Sequence, residues 1–111
     1  NNAKIERCLG EYLTEPRPHI VFERVRSMPA TRFARLVAMH GVQLDRKSRM
    51  LLSGNRVFIN GESVTVDAAT RKPLRDLADR RCLPPQPKIN RRTRELLYQW
   101  YCAGYIEPGE A

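Results

Sequence analysis

The stretch LDRKSRMLLSGNRVFINGESVTV, residues Leu44–Val66, decides the fold. Apolar residues alternate along it: Met50 and Leu52, then Val57 and Ile59, then Val64 and Val66. A period of two puts one apolar and one polar face on each strand. Two turn signals interrupt the alternation, Gly54-Asn55 and Asn60-Gly61. Asn-Gly between alternating apolar residues is a strong hairpin signal, because a type I′ turn needs positive φ at both central residues. The stretch therefore reads as two or three short strands folded back on themselves, around which the remaining elements must pack.

Downstream the period changes to that of a helix. Residues Thr70–Arg81 carry Leu74, Leu77 and Ala78 on one face, with Arg71, Lys72, Arg75 and Arg80 off it. Thr70 is the expected cap, and Pro73 is tolerated in the first turn. Leu83-Pro84-Pro85-Gln86-Pro87 is a stiff connector. Asn90 is expected to cap a last helix, Arg91–Ala103, with a core stripe of Leu96, Leu97, Trp100 and Tyr101. Gly104 closes it, and Tyr105-Ile106 can add a short strand.

Upstream, Ser27–His40 reads as a helix, with Ser27 as N-cap and Pro29 in the first turn. Its buried face is Phe33, Leu36, Val37 and His40, and Gly41 stands at its end. Before it, Ala3–Leu13 shows an apolar stripe of Ile5, Cys8, Leu9, Tyr12 and Leu13. Glu15-Pro16-Arg17-Pro18 cuts this first helix off, because each proline lacks an N–H and forces its predecessor into extended geometry. His19–Phe22 follows as a short extended segment. So isolated a helix either docks back on the domain or ends an element lying upstream. The second is expected, since the pattern begins without a cap before Ala3.

The chain has 111 residues, enough for one domain with a modest core. No apolar run approaches the roughly 18–20 residues of a membrane helix, and no signal peptide is visible. The three cysteines, Cys8, Cys82 and Cys102, are odd in number and in no CxxC spacing. This pattern favours free thiols in a reducing cytosol over a disulfide framework or zinc site. Twenty Lys and Arg oppose twelve Asp and Glu, for a net charge of +8. A balance of this size suits contact with nucleic acid, ribosomes or another acidic surface, or simple solvation.

Catalytic chemistry has little to build on. His19 and His40 sit in different elements and form no His-x-Asp or His-x-x-x-His spacing. No histidine is placed by sequence beside a cysteine to activate it. The glycines mark turns and helix ends rather than a phosphate loop. Asp45, Glu62 and Asp79 are scattered as solvated or capping charges.

Binding is the better-supported class. Two helices joined by a tight connector, with a β-hairpin, are the parts of a winged helix. Arg91, Arg92 and Arg94 begin the last helix, where phosphates could be met, while Arg46, Lys47, Arg49 and Arg56 decorate the hairpin. The hairpin precedes both helices, however, whereas a DNA-reading wing follows its recognition helix. Trp100 and Tyr101 also lie at core spacing. A scaffold or protein-contact role thus stands ahead of a stand-alone nucleic-acid-binding module, which remains the alternative.

Five segments occur in a characteristic order: LGEYLTEPRP (Leu9–Pro18), LDRKSRML (Leu44–Leu51), VFINGES (Val57–Ser63), LADRRCL (Leu77–Leu83) and LLYQWYCAGYI (Leu96–Ile106). Together they resemble the C-terminal part of the bacterial cupin/JmjC-type ribosomal oxygenases. The resemblance implies a parent that uses Fe(II) and 2-oxoglutarate to hydroxylate an arginine of a ribosomal protein. It also implies an N-terminal cupin domain, a helical dimerisation region and a C-terminal winged-helix-like domain. On this basis residues 1–24 end the dimerisation region, and residues 25–111 form an α+β, winged-helix-like accessory domain. The family's His-x-Asp and distant His, and its 2-oxoglutarate anchor, have no counterpart here, so no catalytic, cofactor-binding or metal-binding residue carries over. The partners implied are the cupin domain of the same cytoplasmic parent, a second copy in a homodimer, and a ribosomal protein substrate. Ribosomal RNA suits the +8 charge better than a basic substrate does.

Overall fold

The structure, a computed structural model, describes residues 2–22 and 28–110. Its elements run α1 (Asn2–Thr14), α2 (Ala30–His40), β1 (Val42–Leu44), β2 (Met50–Ser53), β3 (Arg56–Ile59), β4 (Glu62–Thr65), α3 (Ala68–Arg80), β5 (Cys82–Leu83), α4 (Arg91–Cys102) and β6 (Ile106–Pro108). This is an α+β winged-helix domain, as expected, with four helices and small antiparallel sheets among the described residues.

The opening stretch supplies the meander β2–β3–β4, in which Met50 faces Ile59 and Val57 faces Val64. The two turns differ. Asn60 (φ 50°) and Gly61 (φ 88°) are both left-handed, the type I′ requirement, whereas at Gly54-Asn55 only the glycine is (φ 57°), as in a type II′ turn. A second sheet, β5–β1–β6, forms from segments far apart in the chain: Val42 pairs with both Leu83 and Pro108. The expected last strand thus exists, and part of the proline connector, Leu83, is in a strand.

One apolar core joins the two sheets to α2, α3 and α4. Val57, Ile59, Leu74, Leu77, Leu97 and Trp100 are buried in it, and so is Tyr101. The stripe expected on α4 is buried in full. On α2 only Phe33 and Val37 are buried, and Leu36 and His40 are half-buried. Two of the three helix starts differ from expectation. Pro29, at φ −58° and ψ 150°, sits at the start of α2 without a side-chain bond, and Ser27 lies outside the described residues. Asp67 caps α3 by accepting from the Thr70 N–H at 2.8 Å. Thr70, the expected cap, is instead buried one turn inside and bonded to Asn90. Asn90 caps α4 as expected, accepting from the Thr93 N–H at 2.8 Å.

The other correction concerns the outer face of the meander. Strict alternation assigns that face to polar residues, yet Phe58 lies on it, fully buried. Its cover is α1. The helix does dock back on the domain, but by the face opposite its apolar stripe. Gly10 sits so close to the Phe58 ring that a Cβ there would lie 2.4 Å from it. Only glycine allows that approach. The Thr14 hydroxyl accepts from the Gly61 N–H at 3.0 Å, and Ser53 and Ser63 donate to Glu6 and Glu11. The apolar stripe itself is open: Ile5, Leu9, Tyr12 and Leu13 are 50–73% exposed.

Candidate partner-binding surface

Each candidate side chain is held by a different device. Arg91, Arg92 and Arg94 occupy the first turn of α4, aimed by the Asn90 cap and by the tie between Asn90 Nδ2 and Thr70 Oγ1 at 3.2 Å, which joins the starts of α3 and α4. All three are exposed. Arg91 is bonded to Glu95 at 3.0 Å, an i,i+4 pair on the surface worth roughly 0.3–0.5 kcal/mol.

Arg46, Lys47 and Arg49 lie in the β1–β2 loop. A polar spine fixes this loop: the Arg49 N–H donates to Asn60 Oδ1 at 2.9 Å, Asn60 Nδ2 donates to Ser48 Oγ at 3.2 Å, and Ser48 Oγ donates to the Tyr105 carbonyl at 2.7 Å. Arg81, at a left-handed φ of 65°, closes the loop from outside, its guanidinium donating to the carbonyls of Asp45 (2.9 Å) and Ser48 (3.0 Å). Lys47 is engaged, since its ammonium donates to the Val21 carbonyl at 2.7 Å and lies 5.4 Å from the Phe22 ring centre.

The two basic groups are not brought together. Tyr105, which anchors the loop, follows the C-terminal end of α4, and the arginine triplet stands at its start. A 12-residue helix, about 18 Å long, separates them. The basic residues therefore do not form one continuous track.

Beside the triplet lies a feature not read from the sequence. Between α2 and α4 runs an apolar groove of about 360 Å³, with Phe33, Val37 and Leu97 at its base, Tyr98 along one wall, and Arg91 and Arg94 at its rim. Ala30 and Ala34, one helical turn apart on α2, leave the space open. That i,i+4 alanine pair is the sequence signal that marks it. Tyr98 donates to the Met28 carbonyl at 2.9 Å, and Phe33 stacks on Tyr101 at 4.7 Å. Burial raises the Tyr98 pKa, with the neighbouring Cys102 adding to it, so its hydroxyl stays a donor.

Elsewhere, hydrogen bonds from Ser63, then Arg7, hold Glu11 below the usual carboxylate value. The Thr70 side chain and N–H do the same for Asp67. Among the described residues no three His, Cys, Asp or Glu side chains cluster to hold a metal ion, and Cys8, Cys82 and Cys102 are free thiols. His19 lies in the linker after α1 and His40 at the end of α2, and neither belongs to such a cluster, so the donor set does not fit Fe(II). Among the described residues no helix is long and apolar enough to cross a membrane.

A family model described as ROXA-like winged helix matches residues 1–107. The chain belongs to the ROXA-like winged helix family. Solved structures similar to this ROXA-like winged helix include one titled "X-Ray structure of E. coli ycfD". It has a TM-score of 0.79 and 17% identity, and covers 96% of this chain and 30% of that one. Another, titled "Structure of YcfD, a Ribosomal oxygenase from Escherichia coli", has a TM-score of 0.75 and 18% identity, and covers 93% of this chain and 30% of that one. At such identity the likeness establishes the fold. No curated protein sequence matches. This ROXA-like winged helix thus spans less than a third of the solved chains it resembles.

Proposed function

We propose that this chain is a non-catalytic accessory domain at the C-terminus of a cytoplasmic ribosomal-protein arginine hydroxylase. Its Fe(II) and 2-oxoglutarate would be held by an upstream cupin domain of JmjC type. The observation that carries this reading is membership of the ROXA-like winged helix family, with a fold shared over 96% of the chain with 30% of the E. coli YcfD chain. Its proposed work is support of the catalytic cupin domain, dimerisation or substrate presentation.

Two faces suit that work. On α1 the open stripe of Ile5, Leu9, Tyr12 and Leu13 supports the assignment of residues 1–24 to the end of a dimerisation region, with 25–111 as the winged-helix unit. The boundary itself falls within 23–27, outside the described residues. The exposed Arg91, Arg92 and Arg94, together with Arg46, Lys47 and Arg49, are the proposed contacts with the parent, the ribosomal protein or ribosomal RNA.

The test is made in the parent chain. Deleting this domain lowers hydroxylation of the ribosomal protein, read as the one-oxygen mass increment, and Leu9→Asp with Tyr12→Asp shifts the parent from dimer to monomer by light scattering. Full activity and an intact dimer after both changes would sink the proposal. Salt-dependent retardation of duplex DNA by the isolated chain, lost on reversing the three α4 arginines, would instead favour the stand-alone nucleic-acid module.

A further inference from the structure

We infer that the groove between α2 and α4 is a docking site for a short acidic, amphipathic peptide segment, which inserts a bulky apolar side chain between the helices and places a carboxylate on Arg94. This extends the accessory-domain reading to a partner of stated chemistry, and does not depend on the parent's reaction.

Three observations carry it. First, the groove is built rather than incidental. Its volume, about 360 Å³, falls within the roughly 300–1,000 Å³ of sites that receive ligands. Phe33 and Leu97 are held rigid at its base, the former by stacking on Tyr101, and Ala30 and Ala34 leave one wall low. An amphipathic segment laid in an apolar groove is a recurring mode of recognition, and a preformed base spares it the cost of ordering.

Second, the rim selects charge. Arg91 and Arg94 both border the groove, and so does Glu95, whose carboxylate is already occupied by Arg91. Among the described residues Arg94 has no ion-pair partner, and its planar guanidinium can grip a carboxylate with two hydrogen bonds. The chain as a whole carries +8, so an acidic segment is drawn to this face.

Third, the base is wrong for nucleic acid. Single strands are held by open aromatic faces on which bases stack. Here Phe33 is 2% exposed with a face covered by Tyr101, and Tyr98 is pinned through its hydroxyl to Met28. The accessible aliphatic lining is Ala30, Ala34 and Ile89, over the buried Val37 and Leu97.

The experiment is a selection of random dodecapeptides displayed on phage against the immobilised full chain. The most enriched peptide is then labelled with fluorescein and its affinity measured by anisotropy. The expected peptide carries a Leu, Phe or Trp within a helical turn of Asp or Glu. Arg94→Glu weakens it at least about tenfold, and so does Ala34→Leu, which fills the groove; Arg17→Glu, on the remote linker, leaves it unchanged. Circular dichroism checks that Ala34→Leu stays folded, and Arg94→Glu, a surface change, decides the matter alone if Ala34→Leu unfolds. Failure to enrich any sequence, enrichment of basic or uncharged peptides, or binding indifferent to Arg94→Glu overturns the inference. A fluorescein-labelled single-stranded RNA dodecamer that competes with the peptide and binds more tightly also overturns it, in favour of a nucleic-acid site.

Discussion

Asn60→Ala removes the residue on which the hairpin and its surroundings converge. Asn60 is 6% exposed, sits at φ 50°, accepts from the Arg49 N–H and donates to Ser48 Oγ. Each bond contributes about 1 kcal/mol net, and an alanine held left-handed costs roughly 1–2 kcal/mol. The sum is about 3–4 kcal/mol. For a domain of this size that lowers Tm by roughly 10–15 °C. Asn60→Gly loses the same two bonds but relieves the backbone, so it recovers roughly 0.5–1 kcal/mol net of the extra freedom of an unfolded glycine. Urea unfolding read by fluorescence of Trp100, the single tryptophan and a core residue, measures both variants. An Asn60→Ala loss below about 0.5 kcal/mol, or Asn60→Gly less stable than Asn60→Ala, would refute the assignment of Asn60 as both bonded hub and left-handed turn residue.

Three further outcomes follow from α1 and the caps. Gly10→Leu drives a side chain into Phe58 and releases α1, costing roughly 1–3 kcal/mol and exposing the meander; faster tryptic cleavage at Arg7 and Arg17 checks it, and unchanged protection contradicts the docking. Glu11 and Asp67 have depressed folded pKa values, so the stability they contribute is present above their ordinary values of 4.5 and 3.8 and is lost as pH falls through the lower folded values. Thermal melts from pH 7 to pH 3 should show that loss, smaller in Glu11→Gln and Asp67→Asn; equal slopes in all three chains would contradict it. Asn90→Ala removes the α4 cap and its tie to Thr70, lowering stability by about 1–2 kcal/mol in the same urea assay, whereas Asn90→Asp, which still accepts from the Thr93 N–H, loses less.

Local chemistry made much of this domain readable. Asn-Gly states its own turn, since both residues tolerate positive φ, and Asn60-Gly61 adopts it. A 3.6-residue apolar period states a buried helix face, and Leu96, Leu97, Trp100 and Tyr101 are all buried. Asn90 caps by a bond to a residue three positions on, a relation contained within the sequence window. The ordered segments Leu9–Pro18 through Leu96–Ile106 also led to the family that the match over residues 1–107 establishes.

The α1 stripe was legible as a pattern but not as a location. Periodicity says which residues share a face, but not which face meets the domain. That was decided by close approach: Gly10 lets a helix lie on Phe58, and Thr14 accepts from the turn of a strand 47 residues away. The same holds for Thr70, a good cap by type, which became a buried link to Asn90 because α4 arrives beside it. Arg91, Arg92 and Arg94 were visible as a run, and Arg46 to Arg49 as another. Only the packed fold set them at opposite ends of α4 and placed one beside an apolar groove. Sequence by itself determined the helices, the meander and the family, because propensity, turns and period act within a few residues. Tertiary structure decided which faces are covered and which charges are neighbours, because those depend on contacts between residues far apart in the chain.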